Sequence, residues 1–360
     1  MDKDAVLLVL KVYNLERGML AMKVMVAYKI SPEELEIIEK AWPPEVEVVL
    51  PPSLEPEVLK PLLQDIEAVV GDFPVKFLLD APKLKLIHTV GHGINQLLDP
   101  EVREYLLEKK VIVARASPGG APIAEFIIAS MVVLTRRLWQ IHSNLAYHGS
   151  WSESIRAGRM KGAWGGELYG STLGLIGFGN IGKETATRAK AFGMTIGALT
   201  RHPEDIDAVK YGIAFTGSSL RNEEVKDFLG RCDYIVNTMP LTPETRDFFD
   251  QQRFHAMKDG AYFINISRGP IVVEEALWEA LRSGKLAGAA LDVWRAEEGP
   301  GRRGYPIPYP IHQYNVIMTP HYAGATMEVR ARSLRNIGAN LQRWLNNEAL
   351  VNVADLRNGY

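Results

Sequence analysis

Thr172 to Gly182 reads T-L-G-L-I-G-F-G-N-I-G, and the reading of this stretch decides the fold. Leu173 to Ile176 is an apolar run that leads into Gly177, Gly179 and Gly182, and Ile181 to Phe192 is compatible with a helix. Strand, glycine turn and helix in that order present backbone N–H groups to a phosphate at a helix N-terminus. The three glycines have separate uses: a tight turn, close approach of backbone to a pyrophosphate, and close packing of helix on strand. A glycine turn of purely structural use has the same spacing, but the flanks here favour a dinucleotide. Gly177, Phe178, Gly179, Asn180, Ile181 and Gly182 are therefore the first candidate cofactor contacts.

Downstream, Met194 to Leu199 reads as the next strand, and an acid that holds the adenosine ribose is expected at its end. The sequence there is A-L-T-R-H-P, with Thr200, Arg201 and His202. No carboxylate is present for a 2′-hydroxyl, and a cation is present for a 2′-phosphate, so the reading leans to NADP over NAD. The alternative is that Arg201 only stacks on the adenine and does not discriminate. Four further apolar strands follow. Asp233–Thr238 ends in N-T-M-P-L-T, Gly260–Ile266 in N-I-S-R-G-P, Leu286–Leu291 in D-V-W, and Val316–Thr319 in P-H-Y-A-G. Thr238, Pro240, Ser267, Arg268, Asp292 and His321 thus all come at or just past strand ends, on the edge where open parallel sheets place their sites.

Upstream, Val24–Tyr28, Val46–Leu50, Ala68–Val70, Leu84–Val90 and Val111–Ala114 read as short strands separated by helices, which predicts a second parallel sheet. Ser31-Pro32-Glu33-Glu34 is a helix start. The Leu84 strand runs into G-H-G, and Gly91, His92 and Gly93 are candidate donors to a small anion, with a plain turn as the alternative. Ala121 to Tyr147 reads as one long, largely buried helix. Residues 148–168 lack clean periodicity; Trp151 and Trp164 in that stretch suit either a partner subunit or their own domain. Trp294 to Tyr314 is a long loop containing Arg302 and Arg303, and Thr326 to Leu345 is a helix suited to crossing back to the first domain.

At 360 residues, two domains are expected; 47% hydrophobic and 23% charged residues describe an ordinary globular chain. A net charge of −2 gives no reason to expect nucleic acid or an anionic membrane as partner, and no apolar run approaches a membrane span. The single cysteine, Cys232, excludes an internal disulfide and a Cys-rich metal site and suits the cytoplasm; no metal is expected.

The stretches G-E-L-Y-G-S-T-L-G-L-I-G-F-G-N-I-G, M-P-L-T-P-E-T-R, I-N-I-S-R-G-P-I-V, A-A-L-D-V-W and T-P-H-Y-A-G-A-T span Gly166 to Thr326. In order and spacing they resemble the D-isomer-specific 2-hydroxyacid dehydrogenases. The resemblance implies two parallel-sheet α/β domains, Rossmann-like and flavodoxin-like. The dinucleotide domain (125–324) would be inserted into a discontinuous substrate domain (1–124 plus 325–360), with residues 1–21 as an extension.

It also implies NAD(P)-dependent hydride transfer between nicotinamide and a 2-hydroxy or 2-oxo acid, of the glyoxylate/hydroxypyruvate reductase type. His321 would be the acid/base. Glu297 would hydrogen-bond it, a carboxylate being a partner that favours the imidazolium. Arg268 would bind the substrate carboxylate with its planar fork, helped by Gly91, His92 and Gly93 from the other domain. Asp292 would hold the nicotinamide carboxamide. A homodimer is the implied assembly. The family's usual proline after the glutamate is here Glu298. Arg302 and Arg303 are expected near the site, selecting a second anionic group. Two other readings are a nucleotide-sensing protein of the C-terminal-binding-protein corepressor type and a formate or phosphite dehydrogenase.

Overall fold

The computed structural model describes residues 8–10, 22–71, 75–91, 93–116, 119–160, 163–298 and 306–357; His92, Arg302 and Arg303 lie outside them. The chain divides into two units, Met1–Gly119 with Ala325–Tyr360, and Gly120–Gly324.

The first unit holds a sheet of β1 (Leu8–Leu10), β2 (Met22–Val26), β3 (Val46–Leu50), β4 (Ala68–Val70), β5 (Leu86–Thr89) and β6 (Ile112–Arg115), in the order β1-β3-β2-β4-β5-β6. The last five are parallel with the flavodoxin-like order, counted from β2, of 2-1-3-4-5. β1 pairs antiparallel with β3, Leu8 opposite Leu50. This edge strand lies in the stretch read as an extension, and three residues give too short a pattern to show it. Val24, Met25 and Val26 are all fully buried, because helices cover both faces of a parallel sheet and alternation is lost. The helix Pro32–Ala41 begins with a capping box: the Glu34 N–H donates to Ser31 Oγ at 3.2 Å, and the Ser31 N–H donates to the Glu34 carboxylate at 2.8 Å. The helix Met327–Leu345, capped by Thr326, packs Leu334, Ile337 and Leu341 into the core with Val24, Val26 and Trp42. Gly338 is required there, since a Cβ would collide with the Ala41 carbonyl.

The second unit starts with helices and a two-strand ribbon, β7 (Arg159–Met160) and β8 (Ala163–Trp164). Its main sheet comprises β9 (Thr172–Ile176), β10 (Thr195–Thr200), β11 (Ile213–Ser218), β12 (Tyr234–Asn237), β13 (Ala261–Asn265), β14 (Leu286–Leu291) and β15 (Val316–Met318). All are parallel, in the order β11-β10-β9-β12-β13-β14-β15. Counted from β9 this is 3-2-1-4-5-6-7, the Rossmann arrangement with its crevice where the order reverses, between β9 and β12.

Two readings are corrected. The long helix is two helices, Gly120–Arg136 and Leu138–His148, separated by Arg137 in the left-handed region at φ 52°. Only the first is buried: the second contributes no buried residue, and Trp139 and Tyr147 stand 63% and 71% exposed. Apolar content does not distinguish a helix inserted in a core from one whose apolar side faces outward. The second correction is β11, which the sequence reading passed over. Its positions alternate between buried and accessible at the sheet edge, so no apolar run marks it.

Candidate active site

The site of the second unit is assembled from the loops that follow its strands. After β9 the chain turns at Gly177, whose φ of +96° lies in the region that favours glycine. A Cβ there would also strike the Thr238 hydroxyl, which donates to the Gly177 carbonyl at 3.0 Å. At Gly182 a Cβ would press on the Gly177 carbonyl, so this glycine lets helix Asn180–Ala191 pack against the turn. Gly179, the N-cap, is different: a Cβ would meet nothing within 4 Å. Open space in front of a bare helix N-terminus is what a pyrophosphate needs. Phe178 packs edge-on against Tyr211, and Ile181 lies against the core cluster of Ile123 and Leu173, so these two side chains support the turn.

Thr200 ends β10 and accepts the Ser219 N–H at 2.9 Å through its carbonyl. Arg201 is exposed beside it. Its charge reaches Glu244, whose carboxyl is held below its ordinary range chiefly by the Thr242 hydroxyl and to a smaller degree by Arg201. Pro240 accepts the Thr245 hydroxyl through its carbonyl at 2.7 Å. Ser267 is buried; its N–H donates to the Asn265 side chain at 3.2 Å and its hydroxyl donates to the Met239 carbonyl.

Two residues the sequence reading did not select organise this edge. Asn237 and Asn265 are register partners at the last positions of β12 and β13. Asn237 Nδ2 donates to Asn265 Oδ1 at 3.0 Å, Asn237 Oδ1 accepts the Met239 N–H at 3.1 Å, and Asn265 Nδ2 donates to the Arg268 carbonyl at 3.3 Å. Buried amides are expensive unless paired, and here the pairing fixes the exits of two adjacent strands. Matching asparagines at the ends of two neighbouring strands would have been the signal.

Arg268 follows β13, is half-buried, and donates from Nη1 to the Ser267 carbonyl at 2.7 Å. Asp292 follows β14 and is buried. Its Oδ1 accepts the Thr319 hydroxyl and the Tyr322 N–H, each at 2.6 Å, and its Oδ2 accepts the Ala323 N–H at 2.9 Å. Three of its roughly four acceptor positions are therefore taken up in holding the loop after β15. That loop presents His321 at φ 57°, left-handed for a non-glycine residue. His321 Nδ1 lies 2.7 Å from Glu297 Oε2, and Glu297 Oε1 accepts the Trp294 N–H at 2.8 Å. The glutamate that faces the imidazole is thus Glu297. Its own carboxylate is fixed at both oxygens, and Nε2 is the ring nitrogen turned away from it.

The structure brings together the glycine turn, Arg268, Asp292, Glu297 and His321 on the carboxyl edge of one sheet. Gly91 and Gly93 belong to the first unit, past β5; the Thr89 hydroxyl donates to the Gly91 carbonyl at 3.0 Å, and a Cβ on Gly91 would meet nothing within 4 Å. Among the described residues no group of three His, Cys, Asp or Glu side chains is placed to hold a metal, and no helix is long and apolar enough to cross a membrane.

The family model for the NAD-binding domain of D-isomer-specific 2-hydroxyacid dehydrogenases matches residues 128–323, the same region that carries this edge. The chain belongs to the D-isomer-specific 2-hydroxyacid dehydrogenase family. Its nucleotide unit is the family's dinucleotide domain, and the open glycine turn fits a nicotinamide dinucleotide. Among its relatives, the D-3-phosphoglycerate dehydrogenase of Methanocaldococcus jannaschii is 32% identical over 94% of this chain and 60% of that protein. The glyoxylate reductase of Thermofilum pendens is 33% identical over 87% of this chain and 86% of that one. Among solved structures, the NADPH-dependent glyoxylate/hydroxypyruvate reductase of Sinorhizobium meliloti, in complex with NADP and sulfate, superposes with a TM-score of 0.73. It is 26% identical, over 94% of this chain and all of that one. The chain spans most of the glyoxylate reductase but less than two thirds of the phosphoglycerate dehydrogenase.

Proposed function

We propose that this dehydrogenase interconverts 2-oxo and 2-hydroxy acids as a 2-oxo acid reductase of the glyoxylate/hydroxypyruvate type. The observation that carries the reading is the 2.7 Å contact of His321 Nδ1 with Glu297, on the sheet edge that also presents Arg268 and the glycine turn. The nicotinamide, when bound, supplies the hydride for reduction and accepts it for oxidation. His321 gives its Nε2 proton to the keto oxygen and takes it back in the reverse direction. Glu297 holds the ring and stabilises its charged form. Arg268 binds the substrate carboxylate through its planar fork. The remaining acceptor position of Asp292 suits the carboxamide of the cofactor. Backbone N–H groups from Gly179 to Gly182 suit the pyrophosphate, with Thr238, Pro240 and Ser267 lining the cofactor's path. Arg201 beside Thr200 favours NADP. The relatives named glyoxylate reductase and the NADPH-dependent neighbour support the substrate type and the nucleotide.

The homodimer belongs to this reading as well. Trp139, Leu145, Tyr147, Trp151 and Ile155 form an exposed apolar series on the two helices after Arg137, a surface suited to a second copy.

The test is a panel that follows NADPH and NADH oxidation against glyoxylate, hydroxypyruvate, pyruvate and bulkier 2-oxo acids. Turnover of small 2-oxo acids, abolished in His321→Ala, is the expected result. Tight nucleotide binding without turnover of any of them would replace this reading with that of a nucleotide-sensing binding protein.

A further inference from the structure

Trp294 and Arg295 sit between Asp292 and Glu297, and the proposed chemistry uses neither. Both make bonds that leave their own loop. Arg295 Nη2 donates to the Asp247 carboxylate, to the Val272 carbonyl at 2.9 Å and to the Pro270 carbonyl at 3.4 Å. Asp247 belongs to the loop after β12; Pro270 and Val272 belong to the loop after β13, two and four residues past Arg268. The same two loops also meet directly, since the Asp247 N–H donates to the Pro270 carbonyl at 2.9 Å. Asp247 adopts φ 57° to do so, a conformation that a non-glycine residue keeps only when its surroundings enforce it.

On the other side, Trp294 Nε1 donates to the Thr319 carbonyl at 2.9 Å, in the loop that presents His321, while the Trp294 N–H donates to Glu297. Between these bonds the backbones touch: a Cβ on Gly269 would run into the Trp294 carbonyl carbon and the Arg295 nitrogen. One dipeptide therefore joins the loops after four consecutive strands. An accessible Arg–Asp pair adds little to stability by itself, and both side chains here are accessible. What this guanidinium adds is geometry: its one terminal nitrogen Nη2 stands within hydrogen-bond reach of a carboxylate and two main-chain carbonyls from two loops, held there by a planar group with little freedom to turn away.

We infer that Arg295 is a positioning residue, which fixes the turn bearing Glu297 against the loop bearing Arg268, so that the proton donor and the carboxylate clamp keep one relative geometry. The inference rests on the 2-oxo acid reductase reading for its kinetic consequences, and on the hydrogen bonds alone for its structural ones.

The experiment compares wild type with Arg295→Met, Arg295→Lys and Asp247→Asn. For Arg295→Met, kcat/KM for the 2-oxo acid is expected to fall about 10- to 100-fold, with kcat lowered and KM for the acid raised. The NADPH dissociation constant, read by fluorescence titration, and the melting temperature should stay near wild type. A deuterium isotope effect from 4-deuterated nicotinamide should grow as hydride transfer becomes limiting, and guanidinium added at millimolar concentration should restore part of the rate. Arg295→Lys and Asp247→Asn should fall between Met and wild type. Wild-type kcat and KM in Arg295→Met would overturn the inference. So would a loss matched by equal weakening of nucleotide binding and a lowered melting temperature, which marks general damage. If wild type turns over no 2-oxo acid, the functional reading has failed, and backbone hydrogen exchange with NADPH bound decides this inference separately. Faster exchange at residues 294–298 and 268–272 in Arg295→Met supports it, and unchanged exchange in both overturns it.

Discussion

The main-chain N–H of His321 donates to the Asp292 carbonyl at 2.7 Å, so the residue just past β14 holds a residue of the loop past β15. The Asp292 carboxylate completes the attachment with its bonds to Thr319, Tyr322 and Ala323. Removing this carboxylate leaves one buried and two partly buried donors without their acceptor, the costly direction of a hydrogen-bond deletion. Asp292→Ala is expected to lose about 2–4 kcal/mol of stability in urea unfolding, as well as turnover. Asp292→Asn should lose less, because one oxygen remains. An Asp292→Ala protein as stable as wild type would show that water replaces the carboxylate.

Glu297 and Glu298 are adjacent in the chain, and the Glu297 carboxylate lies 2.7 Å from His321 Nδ1. Glu297→Gln should lower the rate of 2-oxo acid reduction by about 100-fold, the usual scale of a general acid's contribution, without weakening NADPH binding. Glu298→Gln leaves the Glu297 carboxylate in place and should retain turnover within about twofold. Steady-state kinetics of the two variants make the comparison; equal losses in both would sink the assignment.

The sequence shows those features that leave a local trace. The three glycines lie within a few positions of the β9 run, and each polar site residue lies within a few positions of its own strand, so the second sheet is legible from local patterns. The β2 strand was visible because burial on both faces gives a continuous apolar run. β11 is an edge strand and leaves no such run. Arg137 breaks a helical stretch that no proline or glycine interrupts after Pro122, so the break comes from tertiary structure and not from a helix-breaking residue. Arg295 and Trp294 work through main-chain carbonyls far away in the chain, and a carbonyl has no residue type to recognise. Glu297 was reached only through family resemblance, since it is separated from His321 by a long loop.

The nucleotide preference turns on Thr200 and Arg201. If Arg201 meets a 2′-phosphate, Arg201→Ala should reduce kcat/KM with NADPH by about 10- to 100-fold, the scale of one or two charge-assisted hydrogen bonds, and leave NADH nearly unaffected. Thr200→Asp adds an acceptor for a ribose hydroxyl and should raise NADH use. Equal effects on both nucleotides in Arg201→Ala would mean that the side chain only stacks on the adenine.

The helices after Arg137 expose Trp139, Tyr147 and Trp151 at 63%, 71% and 72%. If a second copy covers them, light scattering should give a dimer mass, and Trp151→Ser combined with Trp139→Asp should shift it toward monomer. Large aromatics at the centre of an interface commonly cost about 2 kcal/mol or more each when truncated. A wild type that is monomeric at micromolar concentration would remove the dimer from the proposed function.

His88, fully buried in β5, ties that strand to the last helix and the C-terminal segment of the same unit. Its Nδ1 faces the Thr89 carbonyl at 3.1 Å and must carry a hydrogen, so Nε2 accepts from Asn340 Nδ2 at 2.9 Å. Asn340 in turn bonds both the N–H and the carbonyl of Val351 at 2.9 Å. Burial pushes the imidazole down from 6.5 to about 4, because the charged form has lost its water and its ring would then point a hydrogen at an NH₂ group. The folded state therefore keeps His88 neutral, while the unfolded chain takes up a proton as pH falls through 6.5. Stability from this residue is complete above about pH 6.5, declines between 6.5 and 4, and levels off below, a total of about 3 kcal/mol. Urea unfolding of His88→Gln, measured across that range, should show a shallower pH dependence than wild type and a lower stability at pH 7. Parallel curves for the two proteins would mean that His88 is protonated in the folded state or hydrated there, and that the Asn340 link holds the C-terminal segment without it.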